Sequence, residues 1–177
     1  MGGDHSEHFA DIARFCVRCG SVLVARQLKP IEPARLTCSR CSYVHYPDPK
    51  VAACVICAVD DKVVLLRRGI EPSYGRWVFP GGFLDRGERV EDAAAREARE
   101  EVRLDVRVRR LLNVYSYPGH PVVVVVYVAD IVGGEPRVGD EALEVRTFAR
   151  EEIPWDDLAF PSTRAALREY FGFSSDG

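Results

Sequence analysis

Residues 81–104 read GGFLDRGERVEDAAAREAREEVRL, and this stretch carries the strongest structural signal in the 177-residue chain. Within it, Ala94, Ala98 and Val102 recur at helical spacing, so we predict a helix over 90–102. The glycines at its start, which follow Pro80, predict the end of a short strand and the beginning of a loop. The stretch therefore predicts a loop followed by an amphipathic helix.

Strand patterns lie on both sides of this helix. We expect strands at 51–59, 62–67, 77–79, 105–116, 121–130 and 144–149, and a second helix over 162–171. Strands grouped around a helix in the middle of the chain predict an α/β sandwich, in which helices cover a sheet.

The predicted helix carries an acidic cluster. Glu97, Glu100 and Glu101 stand at i, i+3 and i+4, so they share one helical face. A run of charges is usually a solvated surface, and that alternative applies here too. The neighbouring apolar stripe places these carboxylates beside a buried surface, however, and clustered carboxylate oxygens suit Mg²⁺ or Mn²⁺. We therefore predict a divalent-metal site on this face.

Two features of the preceding loop support the same interpretation. Gly82 has no side chain, so its backbone carbonyl can approach a metal ion closely. Glu88 lies eight residues before Arg96, a spacing that allows an ion pair between loop and helix. Such a pair would hold the loop beside the carboxylates.

Together these residues resemble the Nudix box, whose consensus is G-x5-E-x7-R-E-U-x-E-E-x-G-U, with U an apolar residue. The chain reads Gly82-x5-Glu88-x7-Arg96-Glu97-Ala98-x-Glu100-Glu101-x-Arg103-Leu104. The one departure is Arg103, which replaces a glycine that allows left-handed backbone at the end of the helix. Arginine in that conformation is expected to cost roughly 1 kcal/mol, unless the helix continues.

The resemblance implies an α/β/α sandwich with a mixed sheet that hydrolyses a nucleoside diphosphate linked to another group, using Mg²⁺ or Mn²⁺. By position in the motif, the implied metal ligands and catalytic carboxylates are Glu97, Glu100 and Glu101, with the carbonyl of Gly82 completing the set. A bound divalent ion would screen the pyrophosphate charge and lower the pKa of the attacking water.

Nudix enzymes often add a glutamate from a later loop. Glu141 is the first candidate for this catalytic role and Glu144 is the second, although either side chain could instead be solvated.

Four of the six cysteines form two CxxC pairs, which are Cys16 with Cys19 and Cys38 with Cys41. The gap of 18 residues between the pairs is typical of a four-cysteine zinc site. Two disulfides are the alternative, and a cytoplasmic setting disfavours them. We predict a structural Zn²⁺ that stabilises a small ribbon, because so short a module has little core of its own.

The remaining cysteines, Cys54 and Cys57, also read CxxC but lie inside the apolar run 51–59. Residues i and i+3 of a strand point to opposite faces, so we predict two buried core thiols and no second metal site.

The predicted organisation has four parts: a flexible lead-in at 1–14 with a short helix near 9–15, a zinc ribbon at 15–45, a linker at 46–50 and a Nudix domain at 51–172. Ribbon, Tyr-x-x-Pro linker and Nudix domain occur together in NADH pyrophosphatases and in a group similar to plant FAD and ADP-ribose pyrophosphatases. The first group carries a motif, Ser-Gln-Pro-Trp-Pro-Phe-Pro-x-Ser, that residues 114–121 do not match. The second group resembles the chain at 68–77, 80–83 and 148–160.

The second resemblance implies release of AMP from ADP-ribose or FAD, with NADH as an alternative substrate. A ligand of this kind needs a flat side chain for its base and cations for its phosphates. The candidates for these roles are Arg68, Tyr74, Arg76, Trp77 and Phe160. Core packing is an equal alternative for the tryptophan and the phenylalanine, and the arginines could be ordinary surface residues.

The composition of the chain disfavours several other functions. The formal net charge of −3, from 24 basic and 27 acidic residues, offers no broad basic surface for nucleic acid. The basic excess of residues 1–50 is only +2, which disfavours the rival hypothesis of a zinc-ribbon module that binds nucleic acid or protein on a Nudix scaffold. No apolar run approaches ~18 residues and no signal-peptide pattern is present, so we expect a cytoplasmic protein without a membrane partner. A homodimer is compatible with the resemblance.

Overall fold

A computed structural model describes residues 13–173 of the chain. The predicted lead-in at 1–14 and its helix near 9–15 therefore lie almost entirely outside the described residues. The chain divides into two compact units, Met1–Asp48 and Pro49–Gly177.

The first unit is a small antiparallel sheet held around cysteine sulfurs. Its strands are β1 (Leu23–Arg26), β2 (Arg35–Cys38) and β3 (Val44–His45), with β2 in the centre. Cys16 and Cys38 are buried together with Leu23 and Leu36, and these four residues are the whole buried core of the described part of this unit. So few apolar side chains give little hydrophobic stabilisation, which agrees with the predicted dependence on a metal.

The second unit is built on a seven-stranded mixed sheet. Its strands are β4 (Lys50–Val59), β5 (Lys62–Arg68), β6 (Trp77–Val78), β7 (Gly81–Phe83), β8 (Leu104–Tyr115), β9 (Val122–Gly134) and β10 (Ala142–Ala149). The main order is β10-β5-β4-β9-β8, while β6 pairs with β5 and β7 pairs with β4. Strands β4 and β9 run parallel and the other pairs run antiparallel, which confirms the predicted mixed sheet.

Strand β7 was not predicted, because its glycines were expected to end the preceding strand. Instead Gly81 pairs with Cys54 and Gly82 pairs with Ala53. A side chain on Gly81 would collide with the Cys54 sulfur, so glycine is what allows this close pairing.

Helix α1 (Val90–Val102) has the predicted bounds and packs against β4, β7 and β8. Its buried residues include three alanines, Ala93, Ala94 and Ala98, whose small side chains let the helix approach the sheet closely. Helix α2 (Pro161–Tyr170) contacts β8 and follows two short 3₁₀ helices, Arg150–Glu152 and Trp155–Asp157, that were not predicted.

Both remaining cysteines lie in the core of β4, as predicted. Cys54 and Cys57 are buried and make no disulfide. Neither α-helix within residues 13–173 combines the length and the apolar character needed to cross a membrane.

Candidate functional site

Three clustered carboxylates of helix α1, those of Glu97, Glu100 and Glu101, lie at the border between core and solvent. Glu97 and Glu101 are 8% and 7% exposed, whereas the side chain of Glu100 is 53% exposed. One helical face therefore presents two buried carboxylates and one that reaches into water.

Arg96 lies between the loop and this face. Its Nε and Nη2 atoms donate to the two oxygens of Glu88 at 2.8 and 3.0 Å, and Nη2 also donates to the Phe83 carbonyl at 3.2 Å. These bonds confirm the predicted ion pair. They lower the pKa of Glu88 and raise the pKa of Arg96. The loop before the helix is thus fixed to the first turns of α1.

The same guanidinium also lies between two of the carboxylates and donates a hydrogen bond to each. Nη1 of Arg96 donates to Glu97 Oε1 at 2.7 Å and to Glu100 Oε2 at 3.0 Å. Within residues 13–173, only the four paired cysteines place three or more possible metal-ligating atoms within 4.8 Å of one another. The oxygens of Glu97 and Glu100 are not part of such a group. Arg96 therefore offsets part of the negative charge that the glutamates bring together.

Glu101 is the most strongly perturbed carboxyl group at this face. Burial raises its pKa from 4.5 to about 7, against the opposing effect of the Gly81 N–H, which donates to Oε2 at 2.8 Å. Burial also raises the pKa of Glu97. Carboxyl groups that are desolvated and close to one another are typical of functional sites, because a bound cation compensates both costs.

Two neighbours shape the space around these groups. A side chain on Gly82 would collide with the carboxylate of Glu97, so the glycine lets this carboxylate lie directly against the loop backbone. Cys54 lies on the other side, where burial and the charges of Glu101 and Glu97 raise its pKa to about 12. The thiol is therefore neutral at physiological pH and contributes no charge to the site.

The structure separates the two candidates for an additional glutamate. Glu141 lies in the turn before β10, and its charge is among the influences that raise the pKa of both Glu97 and Glu101. Glu144 lies within β10, 3.9 Å from the guanidinium groups of Arg67 and Arg146. Of the two candidates, Glu141 is the one whose charge acts on the helix carboxylates.

Gly69, which was not among the residues predicted from the sequence, helps to hold the turn that carries Glu141. Its N–H donates to the Glu141 carbonyl at 2.7 Å, and a side chain there would approach the same carbonyl to 3.0 Å. The position of a glycine directly after Arg68, at the end of β5, was the available signal.

Arg68 carries a charge that acts on Glu101, and its guanidinium lies beside an aromatic ring. Its positive charge acts to lower the pKa of Glu101, while its guanidinium lies 5.1 Å from the ring centre of Phe160. Phe160 in turn lines an open cleft of about 420 Å³ together with Pro161 and Arg164. The guanidinium whose charge acts on Glu101 thus lies beside a partly exposed aromatic face next to helix α2.

The other three candidates for substrate binding differ in exposure. Tyr74 is 58% exposed. Arg76 donates to the Asp156 carbonyl at 3.0 Å and lies 3.3 Å from the Asp157 carboxylate, so it ties its loop to the second 3₁₀ helix. Trp77 is only 7% exposed and packs edge-to-face on Phe148 with ring centres 4.9 Å apart. Its placement agrees with core packing, the alternative that the sequence left open.

The four paired cysteines converge in the first unit. Sulfur–sulfur distances are 3.4 Å for Cys19–Cys38 and 3.6 Å for both Cys16–Cys41 and Cys19–Cys41. A tetrahedral zinc site with Zn–S bonds of about 2.3 Å has sulfurs about 3.8 Å apart, whereas a disulfide needs about 2.05 Å. All four thiols are free, so this geometry suits a zinc ion.

Each of the two units matches a known protein family. The model of the NUDIX domain family matches residues 48–170, and the Nudix N-terminal zinc-ribbon family matches residues 14–47. The sheet, the helix that carries the carboxylates and the glycine-containing loop before it therefore define a hydrolase of the Nudix class. The chain belongs to the Nudix hydrolase family and carries the zinc ribbon found at the N-terminus of some members.

Individual relatives give more detail. The chain is 41% identical over 123 residues to an ADP-ribose pyrophosphatase of Methanocaldococcus jannaschii, covering 67% of this chain and 71% of that protein. It is 35% identical over 124 residues to the NAD-capped RNA hydrolase NudC of Edwardsiella ictaluri, covering 69% of this chain and 46% of that protein. The chain spans about half the length of the NudC relatives that it matches.

A solved structure is similar over nearly the whole chain. It is a Nudix hydrolase from Nitrosomonas europaea, 36% identical, with a TM-score of 0.86 and coverage of 90% of this chain and 91% of that one.

Proposed function

We propose that this protein is a Mg²⁺- or Mn²⁺-dependent pyrophosphatase that cleaves ADP-ribose or FAD and releases AMP. The observation that carries the proposal is the face of helix α1, where buried Glu97 and Glu101 adjoin exposed Glu100 and where Gly82 lies against the Glu97 carboxylate. The relative from Methanocaldococcus jannaschii, named as an ADP-ribose pyrophosphatase, supports this substrate class.

The residues present fit a divalent cation. Glu97, Glu100 and Glu101 would hold it through carboxylate oxygens, with the Gly82 carbonyl beside them, and all of these are donors that Mg²⁺ prefers. When bound, the ion supplies Lewis-acid activation of the phosphoryl group and a more acidic water. The elevated pKa of Glu101 agrees with such a site, since a desolvated anion needs a counter-charge.

The chain's own groups perform the remaining tasks. Glu88 and Arg96 keep the loop in place, so that Gly82 stays beside the carboxylates. Glu141, in the turn before β10, is proposed to orient or deprotonate the attacking water. Since the helix carboxylates are committed to the cation, a carboxylate from a separate segment is available for that proton.

The substrate is proposed to extend from the carboxylates toward helix α2. Arg68 would pair with the diphosphate, and Phe160 would stack on the base or the flavin. The cleft of about 420 Å³ beside Phe160 offers space for such a group. Exposed Tyr74 and partly exposed Arg76 would flank its entrance, and Trp77 would support the pocket from the core.

The ribbon is proposed to bind one structural Zn²⁺ through Cys16, Cys19, Cys38 and Cys41. The proposal includes a cytoplasmic location, which is supported by the reduced thiols that such a site requires.

A second candidate function is hydrolysis of NADH or of NAD-capped RNA. The NudC relatives favour it, since they match 69–88% of this chain. The segment 114–121 argues for the first candidate, because it lacks the motif of NADH pyrophosphatases and consists of the end of β8 and the β8–β9 turn.

The deciding experiment is a hydrolysis assay with ADP-ribose, FAD, NADH and an NAD-capped RNA, each with Mg²⁺ or Mn²⁺, and with products identified by mass. We expect AMP from ADP-ribose or FAD at the highest kcat/KM. Faster cleavage of NADH or capped RNA would support the second candidate. Tight and salt-sensitive RNA binding without cleavage of any compound would instead favour a binding module.

A further inference from the structure

The segment between β9 and β10, residues 135–141, is attached to the C-terminal end of helix α1. The N–H of Arg137 donates to the Val102 carbonyl at 3.1 Å, and the N–H of Gly139 donates to the Glu101 carbonyl at 2.9 Å. A side chain on Gly139 would collide with the carbonyls of Glu100 and Glu101, so the two backbones are in direct contact. The segment therefore satisfies carbonyl groups that the end of the helix would otherwise leave unpaired.

Arg103 adds a side-chain bond to this attachment. Its Nη2 donates to Asp140 Oδ1 at 2.7 Å. Arg103 adopts φ 60° and ψ 31°, the left-handed conformation in which the family motif has glycine. A glycine there would relieve the strain but could not reach Asp140. Arginine in place of the motif's glycine therefore keeps a strained backbone and gains a side-chain bond to the segment.

Asp140 directly precedes Glu141, whose carbonyl is held from the other side by the N–H of Gly69. The turn that carries Glu141 is thus fixed at both ends, by Arg103 on the helix side and by the end of β5 on the other. The charge of Glu141 acts on both buried glutamates, so a shift of this turn changes how close its carboxylate comes to the cluster.

We propose that Arg103 is a positioning residue that holds Glu141 at the helix carboxylates through its ion pair with Asp140. The inference rests on the proposed function, in which Glu141 acts on the attacking water. It assigns a role to the one position where the chain departs from the box consensus.

Kinetics in a double-mutant cycle test this role. Asp140→Asn removes the ion pair and leaves the backbone of Arg103 unchanged, and we expect kcat to fall about three- to fivefold with KM nearly constant, the range for an exposed ion pair. In a Glu141→Gln background the same substitution should cause no further loss, because nothing remains to be positioned. Arg103→Lys should retain more activity than Arg103→Gly.

Arg99→Gln is the matched control, since it breaks an ion pair of the same helix with Asp105, 2.8 Å away, that does not involve the segment. We expect it to leave kcat unchanged. An equal loss from Asp140→Asn with and without Glu141 would overturn the inference, as would full activity of Asp140→Asn.

Hydrogen–deuterium exchange gives a readout that is independent of catalysis. Asp140→Asn should accelerate exchange in 135–141, whereas Arg99→Gln should not. Unchanged exchange in Asp140→Asn overturns the inference. If the wild-type protein hydrolyses no diphosphate compound, the proposed function fails, while the exchange experiment still decides whether Arg103 positions the turn.

Discussion

The backbone N–H of Gly81 donates to Oε2 of Glu101 at 2.8 Å, which joins the first residue of β7 to the most buried carboxylate of helix α1. This pairing requires Gly81 to approach both Cys54 and the helix, and glycine allows it. One backbone donor does not compensate fully for burial, since the pKa of Glu101 remains near 7. The carboxylate is thus oriented by the sheet but still lacks a counter-charge.

The first prediction concerns pH and stability without added Mg²⁺. Because the folded-state pKa of Glu101 is about 7, against an ordinary value of 4.5, its stabilising contribution is complete below pH 4.5 and is lost as the pH rises through 7. This loss amounts to at most about 3 kcal/mol. Glu101→Gln should therefore be more stable than wild type at pH 8, as measured by urea unfolding at pH 5 and pH 8. Exposed Glu151→Gln is the control, and an identical pH dependence in wild type and Glu101→Gln would contradict the assignment.

The second prediction concerns activity. Glu100→Gln retains the size and hydrogen-bonding capacity of the side chain but removes its charge, so we expect kcat to fall by about two orders of magnitude or more while the Tm changes little. Glu144→Gln, on the edge strand β10, is the matched control and should lose far less. Normal turnover by both Glu100→Gln and Glu101→Gln would exclude the proposed metal site.

The third prediction concerns the ion pair between loop and helix. Arg96 makes two bonds to Glu88 and one each to Glu97 and Glu100, so Arg96→Ala should destabilise the fold by about 2 kcal/mol and lower kcat. Arg96→Lys keeps the charge but cannot make the two-point contact, so it should recover only part of both losses. Thermal unfolding and steady-state kinetics on the same samples check this. Full recovery by lysine would show that charge alone matters.

Much of this fold follows from local pattern, and the rest depends on contacts between distant segments. The bounds of helix α1 follow from its apolar stripe and the glycines of the loop before it, and the ion pair between Glu88 and Arg96 follows from their spacing. The pairing of β7 with β4 does not follow from local pattern, because glycine by itself predicts the end of a strand. The need for glycine at position 81 arises from Cys54, which lies on another strand. The burial of Trp77 depends on Phe148 in the same way. The role of Asp140 arises from a fold that brings it to Arg103.

The fourth prediction concerns the strain at Arg103. Arg103→Gly relieves the left-handed conformation, worth about 1 kcal/mol, and loses an exposed ion pair worth about as much or less, so the Tm should hold or rise slightly. Arg103→Ala keeps most of the strain and also loses the ion pair, so it should have the lowest Tm of the three proteins. Calorimetry of the series checks the order. A Tm for glycine clearly below that of wild type would show that the side-chain contact outweighs the strain, and a Tm for glycine below that of alanine would contradict the strain itself.

The fifth prediction concerns zinc. The first unit has only four buried core residues within the described chain, and two of them are cysteines, so removal of the metal should unfold this unit before the other. Cys38→Ser should reduce bound zinc from one equivalent per chain to near zero, as measured by metal analysis, and should make residues 15–45 sensitive to protease. Cys57→Ala is the control, because this thiol lies in the core of β4 and should leave the zinc content unchanged. If Cys38→Ser kept its zinc, or if Cys57→Ala lost it, the division of the six cysteines into four ligands and two core residues would be wrong.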